Sequence, residues 1–277
     1  MPELPEVETV RRGLEPWLTG KKIKEIEIFH PRAVRAGCDI SLKEIRGARI
    51  LRVDRRGKFL WFVLDREISL VGHLGMSGQI LAAPLIDQRT FGWLSVEKIV
   101  SGAHGLLPEC CAHIAPDVFS DDFDEKAVIA ELRKRKIEIK KALLNQEILS
   151  GIGNIYADEA LWYAKIHPER KSSSLSEVEL KELLKAVRRV MRRALKKGGT
   201  SFDDLYINVN GESGYFEVSL NAYGREGEPC RRCRAQIRRI AFANRSSHFC
   251  PTCQQKRGKK HTMCKHANMG HLARRWV

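Results

Sequence analysis

Met1-Pro2-Glu3-Leu4-Pro5-Glu6-Val7-Glu8-Thr9-Val10-Arg11-Arg12-Gly13-Leu14-Glu15-Pro16-Trp17-Leu18 opens the chain and sets its reading. Val7, Val10, Leu14 and Trp17 recur at helical spacing, so residues 3–18 are expected to form an amphipathic helix. Its apolar stripe needs a surface to cover. The sequence behind it turns to strands as far as Met76: Ile23, Ile26 and Ile28 alternate with charged residues, and 48–53 and 59–64 flank a hairpin turn at Asp54-Arg55-Arg56-Gly57. Residues 68–74 give another strand. The expectation is a mostly β N-terminal domain with a helix packed on it. Pro2 carries a second message. Once Met1 is removed, Pro2 is a secondary amine that titrates near neutrality, at about pH 7.7–8.0, and so is nucleophilic where a lysine is almost fully charged. Attack on a sugar C1′ would form an iminium, the electron sink of a lyase. Pro at this place is also an ordinary helix-starting residue.

After Pro116 the pattern becomes helical, with helices expected at 122–134, 137–144, 154–164 and 175–197. The last has a candidate capping box from Ser174 to Glu177 and stops at Gly198-Gly199. Residues 202–223 read as extended, and the tail 255–277 has no periodicity and reads as disordered.

The 277 residues suffice for two domains, and a net charge of +15 points to a polyanionic partner. The excess is concentrated: Arg225–Val277 holds 14 Lys+Arg against 2 Asp+Glu. No apolar run approaches a membrane span and the start lacks the apolar stretch of a signal peptide, so a soluble cytosolic protein is expected. The basic end also holds four of the eight cysteines at telling spacing. Cys230-x2-Cys233 and Cys250-x2-Cys253, 16 residues apart, read as a zinc ribbon. Four thiolates close the coordination sphere, so that zinc is structural. Cys38, Cys110, Cys111 and Cys264 fall outside the pattern.

Other residues suggest contacts with nucleic acid. Gly151-x-Gly153 before a helix leaves backbone N–H groups for an anion, with Asn154 as a further donor. Lys58 follows the turn, and Phe59-Leu60-Trp61 would anchor it at the rim of the sheet. Met76 in a Gly-rich turn suits a wedge between bases. Arg89 and Phe91, two apart, point to the same side of an extended segment. Arg245, among small polar residues between the cysteine pairs, suits a phosphate at the ribbon's tip.

The chain resembles the formamidopyrimidine-DNA glycosylases through MPELPEVETVRRGL (1–14), RRGKFL (55–60), GHLGMSG (72–78), DQRTFG (87–92), GIGNIYADEALW (151–162), GESGYFEVSLNAYGREGEPCRRC (211–233) and NRSSHFCPTCQ (244–254). The resemblance implies an α+β fold in two domains: an N-terminal β-sandwich with a packed helix over 1–118, then a helix-two-turn-helix domain over 119–222. A zinc ribbon at 223–254 and a basic tail at 255–277 complete it. It implies a monomeric bacterial glycosylase and AP lyase that removes 8-oxoguanine and formamidopyrimidines from double-stranded DNA by β,δ-elimination, with one structural Zn2+. Pro2 would be the nucleophile and Glu3 the general acid. Lys58 would assist elimination, and Arg245 and Asn154 would grip phosphates. Met76, Arg89 and Phe91 would fill the void left by the everted base. Gly214, Tyr215 and Phe216 would close over that base, and His73 and Lys140 would touch the backbone. Two departures stand out. The stretch from Met76 to Arg89 is shorter than the family's by about two strands and their turn, and Arg234 follows Cys233 where the family has Gly. The shortening makes a damage-binding protein with impaired catalysis a rival reading. An endonuclease VIII-like enzyme for pyrimidine lesions is another.

Overall fold

Phe59-Leu60-Trp61-Phe62-Val63-Leu64 is apolar at every position because both faces of its strand are covered. The computed structural model describes residues 2–28, 30–35, 40–75, 79–80, 85–86, 92–199 and 220–256. Within them, β1 (Ile50–Arg56), β2 (Phe59–Leu64), β3 (Ile68–His73), a short pair β4 (Gln79–Ile80) and β5 (Leu85–Ile86), β6 (Trp93–Gly102) and β7 (Gly105–Pro108) follow α1 (Leu4–Leu18). β1, β2, β3, β6 and β7 form one antiparallel sheet in that order. Leu60, Phe62 and Leu64 meet Val7, Val10 and Leu14 of α1 on one face. Trp61 meets Val71, Leu107 and Cys111 on the other. β3 pairs directly with β6, His73 opposite Trp93, so the short connection between them leaves the sheet continuous.

The helical part comprises α2 (Glu125–Lys134), α3 (Ile139–Leu144), α4 (Asn154–Ala164) and α5 (Glu177–Lys196), around a core that includes Leu132, Leu143, Tyr156, Leu161, Leu184 and Val187. Leu4 at the head of α1 belongs to this second core. Then β8 (Arg238–Phe242) and β9 (Arg245–Phe249) form the ribbon hairpin. Among the described residues no helix is long and apolar enough to cross a membrane.

Several sequence expectations shift. Trp17 is 63% exposed, because the stripe through Val10 and Leu14 continues four residues on at Leu18. Residues 23–28 form no strand: the chain pairs with β1's approach only near Ile23, through its N–H to Ala48 and its carbonyl to Gly47, and Ile28 is left exposed. The hairpin turn is Gly57-Lys58, not 54–57. Arg55 and Arg56 stay in β1 because carboxylates hold them: Arg55 pairs with Glu8 at 3.0 Å and Asp117 at 2.9 Å, and Arg56 with Asp122 at 3.0 Å. The capping box of α5 is Ser176 with Glu179, two residues later than expected, because 172–174 form a separate 3-10 turn. The extended reading of 202–219 and the tail from 257 onward lie outside the described residues, as do Cys38 and Cys264.

Candidate active site

The N-termini of α1 and α4 meet. The Leu4 N–H donates to the Gly151 carbonyl at 3.0 Å. The Glu3 carboxylate accepts N–H groups from Gly153 at 2.5 Å, Ile155 at 2.9 Å and Tyr156 at 3.4 Å. The backbone donors expected to face an external anion are therefore taken by Glu3, which satisfies the open end of α4 as a phosphate would. This docking explains the glycines. Gly151 has φ +87 and a Cβ there would press into Leu4, while a Cβ on Gly153 would overlap the Glu3 carboxyl. Glu6 completes the junction, accepting the Glu3 N–H at 2.8 Å and the Tyr156 hydroxyl at 2.6 Å. Pro2 is buried beside it.

Burial pushes the Glu3 carboxyl up to about 7, against the opposing pull of the Lys58 ammonium. Burial in turn holds Lys58 below the usual lysine range. Glu3 pulls its pKa back up, and the nearby Arg245 charge lowers it further. Lys58 is placed by the tight turn at Gly57, where φ is +56 and a Cβ would strike Ser150. It has neither an ion pair nor a hydrogen bond among the described residues. His73 is neutral: burial, then Lys58 and Arg35, take it down to about 4. Its Nδ1 accepts the Gly75 N–H at 3.0 Å, so Nε2 carries the proton, and its ring stacks on Trp93 at 5.7 Å. The Asn154 Oδ1 is buried with no hydrogen-bond partner among the described residues, at the N-terminus of α4.

Arg245 begins β9, after the turn residues Ala243 and Asn244, whose φ values of 44 and 59 suit a two-residue hairpin turn. It is exposed and has no partner among the described residues. The hairpin is fixed beneath it by a buried cation. Lys140 was expected to touch DNA; instead it is 0% exposed, with Nζ 2.6 Å from Asp158 and donating to the Ser246 carbonyl at 3.0 Å. Asp158 also accepts from the Ser247 hydroxyl and the His248 N–H, both at 2.8 Å. Lys140 thus joins α3, α4 and β9, with its β9 contact at the residue next to Arg245. Glu159, next along α4, accepts the N–H groups of Asn221, Ala222 and Tyr223 where the chain returns toward the ribbon.

The four thiols Cys230, Cys233, Cys250 and Cys253 have Sγ atoms within 4.8 Å of one another. Donors surround them as they would thiolates: the Trp162 Nε1–H points at the Cys230 Sγ at 3.4 Å, and the Cys253 N–H at the Cys250 Sγ at 3.4 Å. The donor set fits one tetrahedral zinc with no open position. Arg234 has φ 66, the left-handed conformation a glycine adopts freely. Arg234→Gly is therefore expected to stabilise the ribbon by about 1 kcal/mol, measured as roughly fivefold greater resistance of the bound zinc to a competing chelator.

Met76, Arg89, Phe91, Gly214, Tyr215 and Phe216 lie outside the described residues. The sequence reading missed Glu6, Tyr156, Asp158 and Glu159. A signal was present: Asp158-Glu159 interrupts the otherwise apolar run Ile155-Tyr156-Ala157…Ala160-Leu161-Trp162, and buried carboxylates need dedicated partners.

Comparison with known proteins matches this arrangement. Residues 1–102 match the Formamidopyrimidine-DNA glycosylase N-terminal domain, 114–204 the Formamidopyrimidine-DNA glycosylase H2TH domain, and 227–256 the Zinc finger found in FPG and IleRS. Formamidopyrimidine-DNA glycosylases of Salinispora arenicola and Mycobacterium avium are 49% and 51% identical, over 92% of this chain and 97% and 99% of theirs. The 282 aligned positions of the first exceed what 92% of 277 residues supplies, so the relative has internal residues that this chain lacks. Among solved structures, the MutM (FPG) protein of Thermus thermophilus superposes with a TM-score of 0.81 at 35% identity, covering 93% of this chain and all of that one. A Lactococcus lactis FPG variant in complex with Fapy-dG containing DNA gives 0.78 at 37% identity, covering 92% of this chain and 100% of that one. With family-model matches over all three regions and relatives about 50% identical along nearly the whole chain, the protein belongs to the formamidopyrimidine-DNA glycosylase family.

Proposed function

We propose that the protein is a base-excision repair enzyme that removes oxidised purines from double-stranded DNA and cleaves the strand at the resulting site. The observation that carries this reading is the convergence of Glu3, Lys58 and Arg245 on the end of the chain that bears Pro2. The Pro2 nitrogen attacks C1′ of the everted nucleotide. The bond to the base breaks and the base leaves with a proton. Glu3, held near 7, supplies a proton to the departing base or to the opening sugar oxygen. The iminium on C1′ then draws electrons from the C2′–H bond, a proton departs, and the 3′ phosphate leaves; the 5′ phosphate follows in the second elimination. Lys58 and Arg245 neutralise the phosphates, with Asn154 as a further donor. His73 offers its Nε2–H to the backbone. The void left by the base falls to Met76, Arg89 and Phe91, and the cover over it to Gly214, Tyr215 and Phe216. Zinc, when bound, holds the ribbon in shape; the ligands Cys230, Cys233, Cys250 and Cys253 leave it no part in the reaction. The enzyme acts as a monomer on the chromosome in the cytoplasm.

Borohydride should trap a covalent protein–DNA adduct on duplexes that contain 8-oxoguanine or an abasic site. No adduct from chain shown by mass spectrometry to lack Met1 would sink the proposal, and tight binding without strand scission would put the damage-binding reading in its place. Preference for thymine glycol over 8-oxoguanine would favour the pyrimidine-lesion reading.

The pH profile follows from two groups. The terminal amine must be unprotonated, which favours pH above about 7.7. Glu3 must carry its proton, which favours pH below about 7. Single-turnover excision of 8-oxoguanine should therefore be bell-shaped with a maximum between about pH 7 and 8, falling about tenfold per unit on either side. In Glu3→Gln the remaining activity should rise with pH and lose the alkaline fall.

A further inference from the structure

We propose that the outer face of α5 is a second DNA-binding surface, on which Lys185, Arg189, Arg192 and Lys196 engage the phosphate backbone of an undamaged duplex away from the lesion site.

These four residues are exposed and recur at intervals of four, three and four, so they lie in one stripe along the helix. Together with Arg188 and Arg193 they line a groove of about 610 Å³ whose lining is entirely cationic. The opposite face of α5 is spent on the core, through Leu183, Leu184, Val187, Val190 and Met191. The stripe's positive charges are therefore not required by the core.

Aromatic rings hold its guanidinium groups in place. Arg188 lies over Phe123 at 4.8 Å, Arg189 over Tyr163 at 4.7 Å and Arg192 over Phe119 at 5.8 Å, while Arg193 donates to the Tyr163 hydroxyl. A guanidinium supported on a ring face keeps its N–H edge available for a bidentate contact with phosphate. Lys185 is paired with Glu182 at 2.7 Å and Arg188 with Glu125 at 2.8 Å. Arg189, Arg192, Arg193 and Lys196 have no carboxylate partner among the described residues.

The N-terminal part of this face stands apart from the reaction site, while at its C-terminal end Gly199 lies against Glu6. Glu3 sits at the N-terminus of α4, whereas Tyr163, which carries Arg189, is near the other end of that helix, about 13 Å further along its axis. The stripe itself spans about 17 Å, a length over which a duplex presents about ten phosphates. The all-cationic lining favours a polyanionic backbone over a protein surface, which is expected to be anchored by apolar or aromatic residues at its centre.

The test uses full-length, zinc-loaded protein saturated with a duplex that carries an abasic-site analogue, then titrated with a labelled undamaged duplex. Wild type should take up the second duplex. The variant K185Q/R189Q/R192Q/K196Q should bind it at least about tenfold more weakly, with a log–log salt slope shallower by about 3 to 4. K185Q/K196Q, which removes only ammonium groups that support no ring, should lower that slope by about 2; it serves if the quadruple variant does not fold. Saturation of wild type at one duplex per chain would overturn the proposal, as would second-duplex binding unchanged in both variants. Displacement of the second duplex by polyglutamate at equal charge concentration would also overturn it and assign the face to an acidic protein. Stoichiometry is read without any excision, so failure here is distinct from failure of the proposed reaction.

Discussion

Pro2→Gly is expected to lower base excision and strand cleavage on an 8-oxoguanine duplex by about a thousandfold or more, the scale on which loss of a covalent nucleophile acts, while affinity for the duplex changes little. Glycine retains a terminal amine, so a residual borohydride adduct is expected at a low rate. It loses the secondary nitrogen, whose attack gives an iminium already charged without a further protonation. It also loses the buried ring beside Glu3, whose carboxylate must stay aligned with the N–H groups of Gly153 and Ile155. Binding should persist because Lys58 and Arg245 are untouched. Single-turnover rates beside equilibrium titration check both halves. A variant that kept wild-type excision would remove Pro2 from the mechanism.

Asp158→Ala is expected to cost about 3–5 kcal/mol of stability, the cost of leaving one member of a buried ion pair alone. Lys140 has no exposed surface, and with Asp158 gone its ammonium would keep only the Ser246 carbonyl and the face of Phe242 at 5.5 Å. The hydroxyl of Ser247 and the N–H of His248 would lose their acceptor too. Denaturant unfolding would measure the loss. The double variant Lys140→Met/Asp158→Leu removes both charges and should recover most of it. Recovered stability with weakened DNA binding would identify the pair as the device that aims Arg245; recovered binding would leave it a purely structural element.

How far the sequence was legible depended on whether the information is local. The bounds of α4 and the four thiols of the ribbon were readable because helical periodicity and ligand spacing are written in short windows. The capping box of α5 was misplaced because two serines compete as caps within one polar run, and only the 3-10 turn at 172–174 decides between them. Partnerships between distant elements were not legible. Glu3 lies 150 residues from Gly153, and nothing near either says that the carboxylate will occupy the helix end where a phosphate was expected. Lys140 looked like a surface cation for the same reason: its partner is on another helix. Arg234 was the reverse case: the family resemblance, with Gly expected after Cys233, already pointed to an unusual backbone there, and its φ is 66.

α1 begins in one core and continues in another, with Leu4 among the helical residues and Val7, Val10 and Leu14 against the sheet. Two units that share an element in this way cannot be traded between proteins as modules, since either one, cut free, takes part of the other's interior with it. The ribbon is built differently. Its own hairpin and four thiols close it, and it leans on the rest chiefly through Trp162, Asp158 and Lys140. It is a portable part, and its occurrence in two families is what such self-containment allows.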